Sequence, residues 1–267
     1  MRIFYVNKVE VRILLKRVTP VFFSLWYQNY KRKKRIKHYS GNRVICPICG
    51  LKFDKFAPYG PMENILCPNC RSLGRDRLLW KFLMNKTDLM NKNLQLLHFA
   101  PEKGFYDNFV TMPNIKYTPC DLMPWIYRYD NKKKLIKVDI TNIPFEDNSF
   151  DVIICSHILE HVIDDALAIS ELYRVLKNDG WAIIQVPIDH DRETTYEDFT
   201  ITKPKEREKA FGQHDHVRFY GKDYKNRLEK YGLKVKVVDY AKTLSLEEAQ
   251  QNGINQNNFE EIYYCQK

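Results

Sequence analysis

No stretch of this sequence reaches the roughly 18–20 consecutive apolar residues that a membrane-spanning helix needs. The best candidate, residues 18–27, is interrupted by Thr19, Pro20 and Ser24. A secretory signal places basic residues ahead of its apolar run and a small-residue cleavage site behind it. Here Lys31-Arg32-Lys33-Lys34-Arg35 follows the run, which is the reverse order. The expectation is a chain retained in the cytoplasm. Acidic residues are nearly missing from positions 1–45, which hold 12 Lys/Arg but only one acid, Glu10. The overall charge of +10 therefore belongs to this arm, at net +11, while the remainder carries −1. A basic arm implies an anionic partner, phospholipid headgroups or nucleic acid. It gives the rest of the chain no polyanion-binding character. Internal repeats are also missing, as are low-complexity tracts beyond the short basic run. With 44% hydrophobic and 28% charged residues, the composition excludes wholesale disorder. A length of 267 residues allows one large domain, or one domain plus a small module.

Cysteine is present in an odd number, seven, which argues against a disulfide scaffold and for a reducing compartment. Four of them form Cys46-Pro47-Ile48-Cys49 and Cys67-Pro68-Asn69-Cys70, the paired spacing of a tetrahedral zinc site. Each Cys-x-x-Cys makes a tight turn whose amides can bond the thiolates, and Gly50 stands where a positive φ is often needed. Four soft thiolates select zinc, with iron as a substitute. They leave no open coordination position, so the expected metal is structural. The competing reading, two redox pairs, is weak at this spacing. Such a ribbon can grip nucleic acid, bind protein or staple an arm to a domain. The sequence does not choose among these. Cys120, Cys155 and Cys265 lie scattered in apolar stretches.

Three regions follow from composition: a basic amphipathic arm at 1–40, a zinc ribbon at 41–73 and a main domain at 74–267. Within residues 9–30, Val11, Leu14, Leu15 and Val18 recur at helical spacing between Arg12, Lys16 and Arg17, ahead of Phe22, Phe23, Trp26 and Tyr27. An apolar, aromatic face beside a polybasic run is the pattern of a helix lying on a membrane surface. It equally fits a helix packed on the main domain, and nucleic-acid contact is a third reading. The main domain alternates helical patterns at 76–90, 164–177 and 222–231 with strand patterns at Leu94–Phe99, 116–120, 134–138, 151–155, 181–186, 233–238 and 262–265. Gly180 is placed as a helix C-cap. Seven strands alternating with helices predict an α/β fold with a mostly parallel sheet covered by helices on both faces.

One stretch is more specific: Val138-Asp139-Ile140-Thr141-Asn142-Ile143-Pro144-Phe145-Glu146-Asp147-Asn148-Ser149-Phe150-Asp151, followed by Leu159-Glu160-His161. It resembles the class I S-adenosylmethionine-dependent methyltransferases that carry D-x-x-x-(L/I)-P-F-x-D-x-S-F-D and then L-E-H. The likeness spans about residues 94–240. It implies a Rossmann-like methyltransferase fold with the cofactor across the carboxyl ends of parallel strands. By the resemblance, Asp121 would bond the ribose hydroxyls and Asp139 the adenine amino group, with Ile140 beside the ring. Ser156 and His157 would line the methionine and the methyl group. The family's acid and three glycines after the first strand are replaced here by His98-Phe99-Ala100-Pro101-Glu102-Lys103-Gly104. Ala100, Pro101, Glu102 and Gly104 then form the cofactor loop, with Glu102 facing the cofactor's ammonium group. The loss of glycines narrows or reshapes the pocket.

The run from His157 to His161 also fits the H-x-x-E-H pattern of an inverted zinc peptidase. It begins at a strand end and lacks a third ligand, so hydrogen-bonded loop residues are the plainer reading of Glu160 and His161. Past the charged insertion at 188–211, the Gly212–Tyr220 stretch carries His214, Asp215 and His216. This segment would overlie the methyl group as a substrate lid. His214 or His216 would deprotonate the acceptor with Asp215 orienting it, against the plainer reading of a hydrogen-bonded loop and a third of a metal shared by the two histidines. The function expected is methyl transfer from S-adenosylmethionine to an oxygen or nitrogen of an unidentified acceptor. The arm favours a small or lipid-linked glycan acceptor, and peripheral contact of residues 9–37 with the inner face of a membrane. An RNA methyltransferase, and a non-catalytic ribbon protein on a degenerate fold, are the alternatives.

Overall fold

The computed structural model describes residues 21–127, 129, 133–256 and 260–267. The expected arm helix over 9–30 therefore lies outside the described residues up to residue 20. Helix α1 (Val21–His38) carries the basic run. Its second half is docked, with Arg35 Nε donating to Pro68 O at 3.1 Å and Arg32 to Asn69 Oδ1 at 3.3 Å. Phe22, Phe23, Trp26, Tyr27 and Tyr30 on this helix face solvent. None of the helices among the described residues is long and apolar enough to cross a membrane.

The cysteine region follows. Strand β1 (Ser40–Ile45) pairs antiparallel with β2 (Lys52–Phe53), and β3 (Ala57–Tyr59) with β4 (Met62–Leu66). After α2 (Gly74–Lys86) come β5 (Leu94–Phe99), α3 (Lys103–Phe109), β6 (Ile115–Asp121), β7 (Ile136–Lys137), β8 (Phe150–Ser156), α4 (Asp165–Val175) and β9 (Leu176–Gln185). A small hairpin of β10 (Tyr196–Glu197) and β11 (Arg218–Phe219) brackets α5 (Pro204–Phe211). The chain ends with α6 (Tyr224–Glu229), β12 (Lys234–Val238), α7 (Leu246–Gln251) and β13 (Ile262–Gln266).

Seven strands form one sheet in the order β12-β13-β9-β8-β5-β6-β7. The pairs among β9, β8, β5, β6 and β7 are parallel, and β13 runs antiparallel between β12 and β9. Alternation along the central strands divides the core into two faces. Leu96, Val152, Ile154 and Ile183 join α2, α3 and the cysteine region in one cluster. Leu97, Ile153, Cys155 and Ile184 join α4 and α6 in the other. The expected mostly parallel seven-stranded sheet is the one found. Gly180 is not a helix C-cap: α4 stops at Val175, and Gly180 lies inside β9. A Cβ there would sit 2.9 Å from Asp151 O, so Gly180 permits close approach of two strands.

The cysteine region shares its apolar cluster with the sheet. Its main fastener is Arg77, fully buried on α2. Arg77 donates to Ser72 O at 2.8 Å and Ile65 O at 3.0 Å, and to Asn252 O at 2.6 Å and Gly253 O at 2.8 Å. Its guanidinium stacks on Phe56 at 3.9 Å.

Candidate functional site

The four thiols come together. Cys46 and Cys70 Sγ are 3.6 Å apart, and Cys49 and Cys67 Sγ 3.7 Å. Zn–S bonds of about 2.3 Å in a tetrahedron place sulfurs about 3.8 Å apart, so the spacing fits a four-thiolate zinc site. The turns are those expected: Gly50 N donates to Cys46 O at 2.8 Å with Gly50 at φ +69°, and Arg71 N to Cys67 O at 3.1 Å with Arg71 at φ +68°.

The second group of residues lies at the carboxyl ends of β5, β6 and β8. Ala100 leaves β5 at φ +45°. A left-handed turn is therefore retained there without a glycine, at a cost of about 1–2 kcal/mol. Pro101 O accepts from Tyr129 at 2.7 Å. Glu102 is the N-cap residue of α3, and its Oε2 lies 3.2 Å from His98 Nε2. His98 is fully buried, and its Nδ1 meets Tyr117 Oη at 3.0 Å. Burial works against ionisation of Glu102, but the His98 hydrogen bond and charge hold its carboxyl below the usual range. Gly104 has two roles: it lines the cavity described next, and a Cβ on it would meet Ile48 Cγ2 at 2.9 Å and Cys70 Sγ at 3.5 Å. Its missing side chain lets α3 pack against the cysteine knuckles.

A cavity of about 420 Å³ opens here, lined by Arg71, Asp76, Glu102, Gly104, Tyr127 and Tyr129 among others. Asp76 was not singled out by the sequence reading. Burial and the neighbouring Glu102 charge push its carboxyl up to about 6. Tyr127 ends the cavity by donating to Asp121 Oδ2 at 2.7 Å, while Asp121 Oδ1 accepts from Met123 N at 2.6 Å. Asp139 is exposed past β7, its Oδ1 accepting from Thr141 N at 2.9 Å and Thr141 Oγ1 at 2.7 Å, and Ile140 beside it is buried.

Ser156 ends β8 buried, its Oγ without a hydrogen-bond partner among the described residues. His157 turns at φ +56°, its N donating to Gln185 O at 2.8 Å. Its Nδ1 lies 3.5 Å from Glu160 Oε1. Leu159–His161 is one 3-10 turn, so His157 and His161 do not form the helical metal pair of a peptidase. The 212–220 segment packs directly on this turn. Val217 N donates to Glu160 O at 2.9 Å, and buried Arg218 donates to Leu159 O and Ile163 O at 2.8 Å each and to Val162 O. Asp215 Oδ2 lies 3.4 Å from His161 Nδ1 and its Oδ1 3.7 Å from His214 Nδ1. His216 stands edge-on to His161, ring centroids 4.7 Å apart, with its Nδ1 on Phe211 O at 3.1 Å. Burial, and His161 beside it, lower the His216 pKa. The three residues assigned to the acceptor side are thus close together, but Asp215 faces His161 and His214, not His216. His161, read from sequence as a loop residue, belongs to the cluster.

Residues 113–184, from β6 into β9, match the family model described as a methyltransferase domain. This part of the sheet domain is similar to methyltransferase domains. An uncharacterized protein of Methanocaldococcus jannaschii is 38% identical over 77 residues, 28% of this chain and 33% of that protein. A demethylmenaquinone methyltransferase of Streptomyces avermitilis is 31% identical over 136 residues, 49% of this chain and 57% of that protein. The chain therefore spans about a third to somewhat over half of these curated relatives. Similar solved structures include an S-adenosylmethionine dependent methyltransferase of Mesorhizobium loti, at 16% identity and TM-score 0.49, covering 71% of this chain and 98% of that one. Another, from Aquifex aeolicus, has 18% identity and TM-score 0.42, covering 61% and 82%. The cysteine region contributes Cys70, Arg71 and Ser72 to the lining of the cavity at the strand ends.

Proposed function

We propose that this protein transfers a methyl group from S-adenosylmethionine to an oxygen or nitrogen acceptor, with a structural zinc ion in the four-cysteine site. The observation that carries the reading is the cavity at the end of β5, whose lining brings the carboxylates of Glu102 and Asp76 together with Arg71, Arg75 and Lys103 beside Gly104. A ligand bearing an ammonium and a sulfonium group suits two carboxylates, and Arg71 on the same wall can pair its carboxylate. When bound, the cofactor supplies an electrophilic methyl carbon. Glu102, held by His98, fixes the amino end. Asp121 takes the ribose hydroxyls in place of the Tyr127 hydroxyl, and Asp139 bonds the adenine edge. Ser156 has a free buried hydroxyl to offer, and His161, His214 or His216 receives the acceptor's proton. The chain's own contribution is alignment and proton removal for an in-line displacement.

For the acceptor, the solvent-facing Phe22, Phe23, Trp26, Tyr27 and Tyr30 beside the basic run support one presented at an anionic membrane surface. A lipid-linked glycan and a quinone-like ring both fit that placement, and the S. avermitilis relative is a demethylmenaquinone methyltransferase. The test is calorimetric titration of the metal-loaded protein with S-adenosylmethionine and its demethylated product, beside Asp139→Ala. Binding on the order of micromolar, weakened about tenfold by the substitution, is the expected result. No binding by folded protein removes the enzyme reading. In the same series, sedimentation with phosphatidylserine but not phosphatidylcholine vesicles is expected. RNA binding with a steep salt dependence in place of vesicle binding overturns the membrane assignment.

A further inference from the structure

The acceptor side holds a donor set of which the methyltransferase reading uses at most one imidazole, as a base, and His214, outside the set, can serve as that base. Glu160, His161 and His216 each bring one ligand atom within 4.8 Å of the others. Glu160 is 2% exposed, and its Oε2 has no hydrogen-bond partner among the described residues. A buried, unpaired carboxylate oxygen is costly unless something pairs with it. Both imidazoles are already oriented through Nδ1, His161 by Asp215 Oδ2 at 3.4 Å and His216 by Phe211 O at 3.1 Å. This leaves Nε2 of each ring as the open donor. Carboxylate and backbone-carbonyl partners on the far nitrogen are the usual support for metal-binding histidines. The site is anchored as well: Arg218 ties the carbonyls of Leu159, Val162 and Ile163 to Glu197, whose Oε2 lies 2.9 Å from its Nε.

We propose that Glu160, His161 and His216 form a second metal site, for a divalent transition cation such as Zn²⁺ or Co²⁺. Two histidines and a carboxylate with open positions form a donor set such cations accept. It contrasts with the closed thiolate site. Closing the three donors to bonding distance takes shifts on the order of 1 Å. His214 is outside the set, so the pair of histidines suggested by sequence, His214 with His216, is replaced by His161 with His216. The role of the ion rests on the methyltransferase reading: it would bind an acceptor oxygen and lower its pKa, as Lewis-acid sites do. The site itself does not depend on that reading.

The test is metal counting. Chelator-stripped full-length protein is dialysed against Zn²⁺ and analysed by mass spectrometry, and titrated in parallel with Co²⁺. Wild type is expected to take two ions per chain, and His216→Ala and Glu160→Gln one. His214→Ala is expected to keep two. Asp215→Asn is expected to weaken the second ion about 10–100-fold. The cobalt–thiolate absorption of the cysteine site reports whether each variant is folded. One ion in wild type, or two in the His161→Ala/His216→Ala double variant, overturns the proposal. S-Adenosylmethionine binding is measured on the same samples. One ion with cofactor binding intact overturns the metal site alone, and two ions without cofactor binding overturns the methyltransferase reading alone.

Discussion

The loops after β5 and β8 are built alike and end differently. Each leaves a central parallel strand through a non-glycine residue at positive φ, Ala100 at +45° and His157 at +56°. Each carries a carboxylate beside a histidine of its own segment: Glu102 at 3.2 Å from His98, Glu160 at 3.5 Å from His157. Each has a fully buried arginine nearby, Arg77 on the first side and Arg218 on the second. The first loop is closed by the cysteine region, and Glu102 there is held by His98. The second is closed by the 212–220 segment, and Glu160 retains an oxygen without a partner. Two similar strand ends thus take different chemistry from what is packed on them. The first makes a cavity that sets two carboxylates among basic side chains, and the second gathers imidazoles.

The strongest way to break this comparison is through the arginines. Arg218 pairs with Glu197 at 2.9 Å and lies 3.7 Å from Asp165, whereas the contacts of Arg77 are backbone carbonyls and the Phe56 ring. Removing Arg218 leaves two carboxylates sharing one cation, Arg227, at 2.7 Å from Asp165 and 3.0 Å from Glu197, so the cost falls below the about 3–5 kcal/mol of a buried pair broken outright. Arg218→Met is still expected to lose more stability than Arg77→Met in chemical denaturation. Arg77→Met is the variant expected to speed metal loss from the cysteine site. Equal losses with unchanged metal release would show that the two arginines are not specialised.

A smaller effect tests the carboxylates of the cavity. Asp76 has its carboxyl raised to about 6, against 3.8 ordinarily, by burial and by Glu102. The folded state then binds the proton more tightly than the unfolded chain. This group's contribution is favourable at low pH, declines as pH rises from about 4 to about 6, and stays unfavourable above. Asp76→Asn keeps an acceptor for Leu73 N, which bonds Asp76 Oδ2 at 2.7 Å. It is expected to gain up to roughly 3 kcal/mol over wild type at pH 8 and nothing at pH 4, by denaturation across that range. A gain independent of pH would remove Asp76 as the titrating group.

The smallest effect separates the two positive-φ residues. Ala100→Gly is expected to stabilise by about 1 kcal/mol, because glycine adopts φ +45° without a Cβ penalty. Thermal unfolding measures this. A loss instead would mean that the Ala100 side chain packs usefully against the cavity wall.

Much of the fold was legible because its signals are local. The thiol positions follow from two tight turns, and β5 follows from a short apolar run. The ends of β6 and β8 were placed to within a residue, so Asp121, Ser156 and His157 fell at strand ends. Gly180 was misplaced because a glycine after a helix is the same local signal whether it caps the helix or lets two strands approach. Asp76 and His98 were passed over because nothing beside them in sequence marks them. They become functional candidates only when α2 and β5 meet at one cavity.

The sequence by itself determined the thiolate set, the parallel sheet and the carboxylates at its strand ends, because turns, alternation and strand termini are encoded by neighbours a few residues apart. Only the tertiary structure decided which groups share a site. Arg77 reaches Asn252 and Gly253 across 175 and 176 positions, and Arg218 holds Leu159 O across 59. Whether His216 faces His161 or His214 was decided the same way, by the packing of the 212–220 segment on the turn after β8. Such pairings depend on how separate elements pack, and no local period or spacing in the chain records that.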